Sequence, residues 1–210
     1  MLYNIGIMDV PGDGNIKSPD NKIYKTWCSI FVRCYSPISL KKRPTYELTE
    51  VCDEWKLYSN FKKWYISNYI EGYFLDKDII DGTSNIYSPY TCSFVPNIIN
   101  CCILDGNSKN SNLPIGVHYR PKGKDMVNEF SNPYQARLWK YKKRVSLGCY
   151  PTPYDAHKAW QFGKKEYLLE LINDYSDKVT PEVVVGLQRR IDILTDDIKK
   201  CRITNSISKI

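Results

Sequence analysis

The stretch from Leu75 to Asn100, LDKDIIDGTSNIYSPYTCSFVPNIIN, contains the residues that decide the fold of the N-terminal half. An apolar strand ends on the carboxylate of Asp76, a polar loop follows, and a second strand leads into a helix that carries Asn100. Carboxylate and amide oxygens suit Mg²⁺, which keeps several waters and therefore needs few protein ligands. Asp78 follows closely, and on a continuing strand its side chain would share a face with Asp76. Asp76 and Asn100 therefore have the side-chain chemistry that a divalent cation prefers, and Asp78 offers either an extra ligand or a hydrogen-bond partner for a ligand.

This stretch resembles the ββα metal finger of HNH endonucleases with one part altered. The resemblance implies that Asp76 and Asn100 are the protein ligands of a catalytic Mg²⁺ or Mn²⁺. It also implies that Lys77 stands where the family has the histidine that activates water. The similarity covers about residues 24–103. There the chain resembles phage-encoded freestanding HNH homing-endonuclease-like proteins in the strings YKTWCSIFVRCYS, RPTYELTEVCDEWKLYSNFKKW, LDKDII and NIYSPYTCSFVP.

Because Lys77 stands in place of the histidine, several functions remain open. General-base catalysis contributes about 10²–10⁴-fold to a rate, and a protonated lysine cannot accept a proton from water, although it can neutralise phosphate charge. One interpretation is an active metal-dependent DNA endonuclease, homing or nicking, with Asp76, Lys77 and Asn100 as its catalytic residues. Another is a catalytically silent HNH-derived DNA-binding or regulatory protein, in which Asp76 and Asp78 are ordinary strand-end charges. A third is an interaction protein that acts on host machinery.

The positive charge is concentrated in one part of the chain. Residues 114–172 contain 11 basic and 5 acidic residues, so they carry +6 of the total net charge of +7. Such a block is typical of a surface that faces phosphates, and the alternative is a solvated basic face.

No apolar run approaches the length of a membrane span, no signal peptide is recognisable, and the resemblance implies the cytoplasm of an infected bacterial host. None of the eight cysteines forms a C-x-x-C pair, so no zinc site is expected.

Composition and turn signals divide the chain into five segments. They are a loop-rich N-terminal segment (1–23), an HNH-like nuclease domain (24–104), a linker (105–114), a sheet-type DNA-binding domain (115–172) and a C-terminal helical tail (173–210). Helical spacing of apolar residues predicts a helix from Tyr24 that ends before Pro37, and a second helix over roughly 53–68. The tail contains a predicted helix from Pro181 to about Lys200, whose apolar stripe favours docking onto the chain's own core over a dimer contact.

The segment 115–172 has its own pattern of elements. Strands are predicted over 115–120, 135–139 and 143–149, and a helix over 153–171 with Thr152 as its N-cap. Three strands followed by one helix, with the string LGCYPTPYDAHKAW, resemble the ethylene-response-factor (Apetala-type) DNA-binding domain. The resemblance implies that the sheet, rather than the helix, lies in the major groove of double-stranded DNA.

This module supplies the candidate DNA-binding residues. Alternate residues of a strand share a face, so Arg137 and Trp139 are expected to point together. Arginine can read guanine through paired hydrogen bonds, whereas lysine mainly contacts phosphate. In the alternative interpretation, Trp139 packs against the helix. The candidates are Arg120, Lys122, Arg137, Trp139, Lys140, Lys142, Lys143 and Arg144.

The sequence as a whole predicts an α+β fold. We expect a ββα-metal (HNH-like) unit with flanking helices, then a three-stranded antiparallel sheet packed on one helix, and finally a C-terminal helix. The expected partner is double-stranded DNA, and no membrane partner is expected.

Overall fold

Helices and short β-sheets alternate along the chain in the computed structural model, which describes residues 1–104, 112–121 and 130–208. The α+β class is confirmed, as is a three-stranded antiparallel sheet in the C-terminal half. Contacts within the chain divide it into two units, Met1–Phe94 and Val95–Ile210. The division therefore falls before the end of the expected 24–104 domain, and residues 105–111 of the expected linker lie outside the described residues. No helix in the described ranges is long and apolar enough to cross a membrane.

Four helices build most of the first unit. They are α1 (Asn21–Tyr35), α2 (Pro37–Lys42), α3 (Asp53–Lys56) and α4 (Tyr58–Asn68). Residues 1–20 contain no helix, as the loop-rich interpretation predicted. Large aromatic side chains fill the core, and the indole N–H of Trp27 donates to the carbonyl of Trp55 at 2.7 Å. Burial of each such side chain contributes on the order of 1.5–3 kcal/mol.

The second predicted helix, over 53–68, is broken at Leu57, which is extended (φ −85°, ψ 123°). The cause is a backbone pairing with the N-terminal segment. The N–H of Ile7 donates to the carbonyl of Lys56 at 2.8 Å, and the N–H of Tyr58 donates to the carbonyl of Ile7 at 3.0 Å. α3 and α4 are therefore interrupted at Leu57 because a segment that is distant in the sequence pairs with the backbone there.

Pro37 was expected only to end α1, yet it also begins α2. The preceding Ser36 is extended, and its hydroxyl accepts a hydrogen bond from the backbone N–H of Ser39 at 3.4 Å. A serine N-cap followed by proline at the first helical position is a favoured helix start. α2 ends with the two basic residues Lys41 and Lys42.

Four short strands accompany these helices. β1 (Glu50–Val51) pairs in parallel with β3 (Ile86–Tyr87), and β2 (Tyr73–Asp76) pairs with β4 (Ser93–Pro96). β2 ends on Asp76 as predicted, and β4 leads directly into α5 (Asn97–Cys102), which carries Asn100. The chain therefore runs from a strand through a loop that contains β3 to a second strand and a helix, and the expected ββα-metal unit stays a prediction.

The second unit contains the sheet and two long helices. They are β5 (Val117–Tyr119), β6 (Tyr134–Lys140), β7 (Lys143–Tyr150), α6 (Pro153–Tyr175) and α7 (Pro181–Lys199). β6 is the central strand and pairs antiparallel with both neighbours. The predicted strands and helices are confirmed with small shifts of their ends. The predicted N-cap of α6 is also confirmed, because the hydroxyl of Thr152 accepts from the backbone N–H of Asp155 at 3.1 Å.

Small residues allow α6 to lie close to the sheet. Ala136 on β6 and Ala156 on α6 are both fully buried. Gly116, just before β5, has φ +77°, and a Cβ at this position would lie 2.0 Å from the ring of Trp160. Only glycine satisfies both the positive φ and this close approach.

The C-terminal tail folds back onto α6. α7 packs against α6, which confirms the predicted docking onto the chain's own core. Beyond α7, the backbone N–H of Thr204 donates to Nε2 of His157 at 3.0 Å. Nδ1 of the same ring lies 2.9 Å from the carbonyl of Ile115. Since Nε2 accepts, Nδ1 carries the proton and donates to that carbonyl, and the buried imidazole is neutral.

This arrangement makes the stability of the second unit depend on pH. Burial lowers the pKa of His157 below 6.5, although the hydrogen bond to Ile115 and the charge of Asp197 act in the opposite direction. The unfolded chain therefore binds the proton more readily than the folded chain. The stability that the neutral His157 contributes is fully present above the pKa of histidine in the unfolded chain. It is lost as the pH falls below that value.

We expect the free energy of unfolding in urea to be lower at about pH 5 than at about pH 7.5. His157→Gln should remove most of this difference, because glutamine does not titrate. The pKa of the exposed His118 is also lowered, so His118→Gln is the comparison variant and should retain the part of the difference that His157 supplies. Equal wild-type stability at the two pH values would contradict the assignment.

Candidate functional site

The carboxylate of Asp76 organises the turn that follows β2. Its Oδ1 accepts from the backbone N–H of Asp78 at 2.9 Å and from that of Ile79 at 2.7 Å. Such a local side-chain turn ends the strand. The alternation that was expected to place Asp76 and Asp78 on one face therefore does not extend to Asp78, because β2 stops at Asp76.

Lys77 folds back into the loop that it begins. Its side chain is only 7% exposed, and Nζ donates to Oδ1 of Asp78 at 2.5 Å. A second hydrogen bond runs from Nζ to the carbonyl of Ser84 at 3.1 Å. The ammonium group thus joins the two ends of the loop. An Asp78 carboxylate held by an ammonium group fits an ion pair better than a metal ligand.

The ring of Tyr46 and the buried thiols of Cys34 and Cys92 lie near Lys77. Arg33 donates to the hydroxyl of Tyr87 at 3.2 Å. Burial raises the pKa of Cys34 to about 12 and that of Cys92 to about 12, although Lys77 lowers both. These thiols are therefore protonated at neutral pH and do not act as nucleophiles or as thiolate ligands.

The proposed metal ligands belong to different units. Asp76 lies in the first unit, and Asn100, which is half-buried on α5, lies in the second. Within the described ranges, no three or more His, Cys, Asp or Glu side chains form a group that could hold a metal ion. Asparagine is not among these four residue types, so a metal ion bound by both Asp76 and Asn100 stays a prediction.

The second candidate site is the face of the sheet that points away from α6, called here the open face. Leu138 is buried beneath α6, so its neighbours Arg137 and Trp139 lie on the open face. Arg144 pairs with Trp139 across the strands and shares this face. Trp139 is 54% exposed, and its remaining surface lines a small cleft with Ile98 on α5 and Tyr167 on α6.

Hydrogen bonds hold the open face in place. Nε of Arg137 donates to Oε1 of Gln135 at 2.8 Å, and Nε2 of Gln135 donates to the hydroxyl of Ser146 at 2.8 Å. Arg120 donates through NH1 to Sγ of Cys149 at 3.0 Å. Chains of this kind orient an arginine before a ligand binds and so reduce the entropy lost on binding.

The candidate lysines occupy other positions. Lys140 lies on the helix side, where Nζ contacts Oε1 of Glu170 at 2.7 Å. Tyr141 and Lys142 form the turn of the hairpin with φ of 47° and 60°, as a type I′ turn requires. Lys142 and Lys143 are exposed at this tip. Lys122 lies outside the described residues.

Two further residues, His118 and Gln135, lie on the open face, and only Gln135 was missed by the sequence interpretation. His118 pairs with Gln135 across β5 and β6. Burial lowers the pKa of His118, and the charges of Arg137 and Arg144 lower it further. The imidazole is therefore neutral at neutral pH and can donate or accept a hydrogen bond. Strand alternation from Arg137 would have identified Gln135, which lies on the same face of β6.

Comparisons of the chain with family models, with curated proteins and with solved structures found no match.

The ion pair of Lys77 yields a prediction about stability. Lys77→Met removes the partner of Asp78 and of the Ser84 carbonyl, and should destabilise the first unit by about 1–3 kcal/mol. Denaturant unfolding measures the loss. Lys56→Met is the matched control, because it breaks an exposed pair with Asp53 that contributes little to stability. If the two variants unfold at the same denaturant concentration, Lys77 does not hold the loop.

Proposed function

We propose that this protein binds double-stranded DNA through the open face of the sheet in its second unit. The observation that carries the proposal is the placement of Arg137, Trp139 and Arg144 together on that face, opposite the helix. The three strands contain no acidic residue. A phosphate-rich partner would therefore meet positive charge without an opposing carboxylate from the strands.

The chemistry of the open face suits duplex DNA. Arg137 is planar, multidentate and held by Gln135, which is the geometry that base-edge recognition requires. The exposed lysines at the hairpin tip fit phosphate contacts, which position a protein on the duplex without reading its sequence. Lys140 does not join this set, because Glu170 neutralises it on the other face.

A merely solvated basic face is the competing interpretation, and the organisation of the face argues against it. On a surface that only faces solvent, positively charged side chains are expected to be spread apart, because like charges close together repel one another. Here Arg137 and Arg144 are both near enough to His118 to lower its pKa. A large tryptophan is also left 54% exposed between them. Arginine and tryptophan are enriched where proteins bind partners tightly.

The double variant Arg137→Gln/Arg144→Gln tests this proposal in the full-length chain. An arginine that contacts DNA contributes about 1–3 kcal/mol, so duplex affinity should fall at least about tenfold. If the contacts are to phosphates, the log–log salt slope should decrease by about 0.9 for each arginine. Fluorescence anisotropy with a labelled duplex over a range of salt concentrations measures both quantities.

Lys140→Gln is the matched control for that experiment. It removes one positive charge from the same strand, but from the face that packs on α6. Duplex affinity should stay within about twofold of wild type, the change expected when a charge off the interface is lost. Wild-type affinity in the double variant, or an equal loss in Lys140→Gln, would refute the open face as the interface.

A second candidate function is metal-dependent cleavage of DNA by an HNH-like ββα unit. It is favoured by the order of elements, since β2 ends on Asp76 and α5, which carries Asn100, follows β4. A bound Mg²⁺ or Mn²⁺ would polarise the phosphate and stabilise the leaving oxygen. Lys77, at the position of the expected base, is paired with Asp78, and an ammonium group does not accept a proton from water. The silent DNA-binding alternative is therefore equally compatible with this unit. A phage origin stays a prediction.

Asp76→Asn separates these two alternatives. The amide oxygen can still accept from the N–H groups of Asp78 and Ile79, so the turn should persist while the ligand charge is lost. An active enzyme should cut plasmid DNA with Mg²⁺ or Mn²⁺, stop with EDTA, and lose most of its activity in Asp76→Asn without losing DNA affinity. If wild type binds DNA but does not cut it under these conditions, the silent DNA-binding alternative is correct.

A further inference from the structure

A pocket of about 380 Å³ opens beside the open face, within the second unit. This volume lies in the range of small-molecule sites. Its apolar wall is formed by Leu104, Leu138 and the two tryptophans Trp139 and Trp160. Its other lining residues include Arg137, Arg144 and His118, so one pocket combines an aromatic wall with a cationic one.

The aromatic wall is rigid. The ring of Trp160 stacks on His157 with the centroids 5.4 Å apart and an interplanar angle of 20°. His157 is itself fixed by hydrogen bonds to Ile115 and Thr204. The five-membered part of the Trp160 ring also lies against Gly116, where a side chain would not fit. A flat ligand would therefore meet a surface that is already ordered, and binding would cost little conformational entropy.

The pocket and the proposed DNA interface share residues. Arg137, Trp139 and Arg144 belong to both. Trp139 is the exposed tryptophan of the two, whereas Trp160 is only 4% exposed. A ligand that fits must therefore present a flat apolar group to Trp139 and an anionic group to the arginines. A nucleotide has this combination, and DNA on the open face would bring nucleotides to the rim of the pocket.

Resting on the proposed function, we infer that this pocket accepts the base of one unpaired nucleotide of the bound DNA, with the adjoining phosphate on Arg137 and Arg144. A paired base is stacked between its neighbours and does not reach a pocket without extrusion, whereas a bulged base has less to lose. Stacking of bases on aromatic side chains is tolerant of sequence, because every base has a flat face. The preference is therefore for DNA with an unpaired base rather than for a particular base.

The test uses the full-length protein and two duplexes of the same length. One is fully paired, and the other has a single bulged 2-aminopurine, an adenine analogue whose fluorescence depends on stacking. Wild type should bind the bulged duplex about 5- to 150-fold more tightly, the range that stacking of one base contributes. The 2-aminopurine emission should fall on binding.

Cys101→Phe is the pocket-filling variant, because Cys101 is exposed on α5 and lines the pocket. It should bind the two duplexes equally and leave the emission unchanged, while affinity for the paired duplex stays near wild type. Cys101→Ser, which removes the thiol without filling the space, should keep the preference.

The outcomes separate this inference from the proposed function. Equal wild-type affinity for both duplexes, or a preference that survives in Cys101→Phe, would overturn the pocket assignment and leave DNA binding by the open face intact. If neither duplex binds, the proposed function fails and the inference fails with it. Competition by free deoxyadenosine monophosphate without any preference for the bulged duplex would identify a site for free nucleotides and would also overturn the inference.

Discussion

The alternation of side chains along β6 is the constraint on which the second unit depends. Ala136 and Leu138 face α6 and are buried, so the intervening Arg137 and the following Trp139 must face the other way. The same strand therefore supplies the core and the candidate interface. Because β6 is the central strand, its register with β5 and β7 also places His118 and Arg144 on the open face. A one-residue shift would exchange the two faces and lose both the core and the interface.

Local sequence signals were sufficient for much of the fold. The cap at Thr152, the alternating strands of the sheet and the apolar stripe of α7 are each defined by residues that are close in sequence. Each of these three features is present. The break at Leu57 could not be predicted in this way, because it depends on backbone pairing with Ile7. The position of Lys77 also depends on the return of the chain at Ser84, which no local pattern reveals.

The candidate sites were predictable to different degrees. Strand alternation correctly grouped Arg137 with Trp139, and the same rule would have placed Lys140 on the helix side, where it meets Glu170. The metal hypothesis depends on the resemblance to HNH endonucleases and on side chains from two units, Asp76 and Asn100, so the sequence supplied the residues but not their arrangement. The proposal of DNA binding is therefore better supported than the metal hypothesis. It depends on the charges and the strand register of one sheet, and both belong to the second unit.

The most direct test of the account is an NMR titration of the full-length chain with a short DNA duplex. If the open face is the interface, the largest changes in backbone amide shifts will occur at Gln135, Arg137, Trp139 and Arg144, and the outer surface of α6 will change little. Changes confined to the first unit, or to α6 with β6 and β7 unaffected, would contradict the claim that the sheet binds DNA.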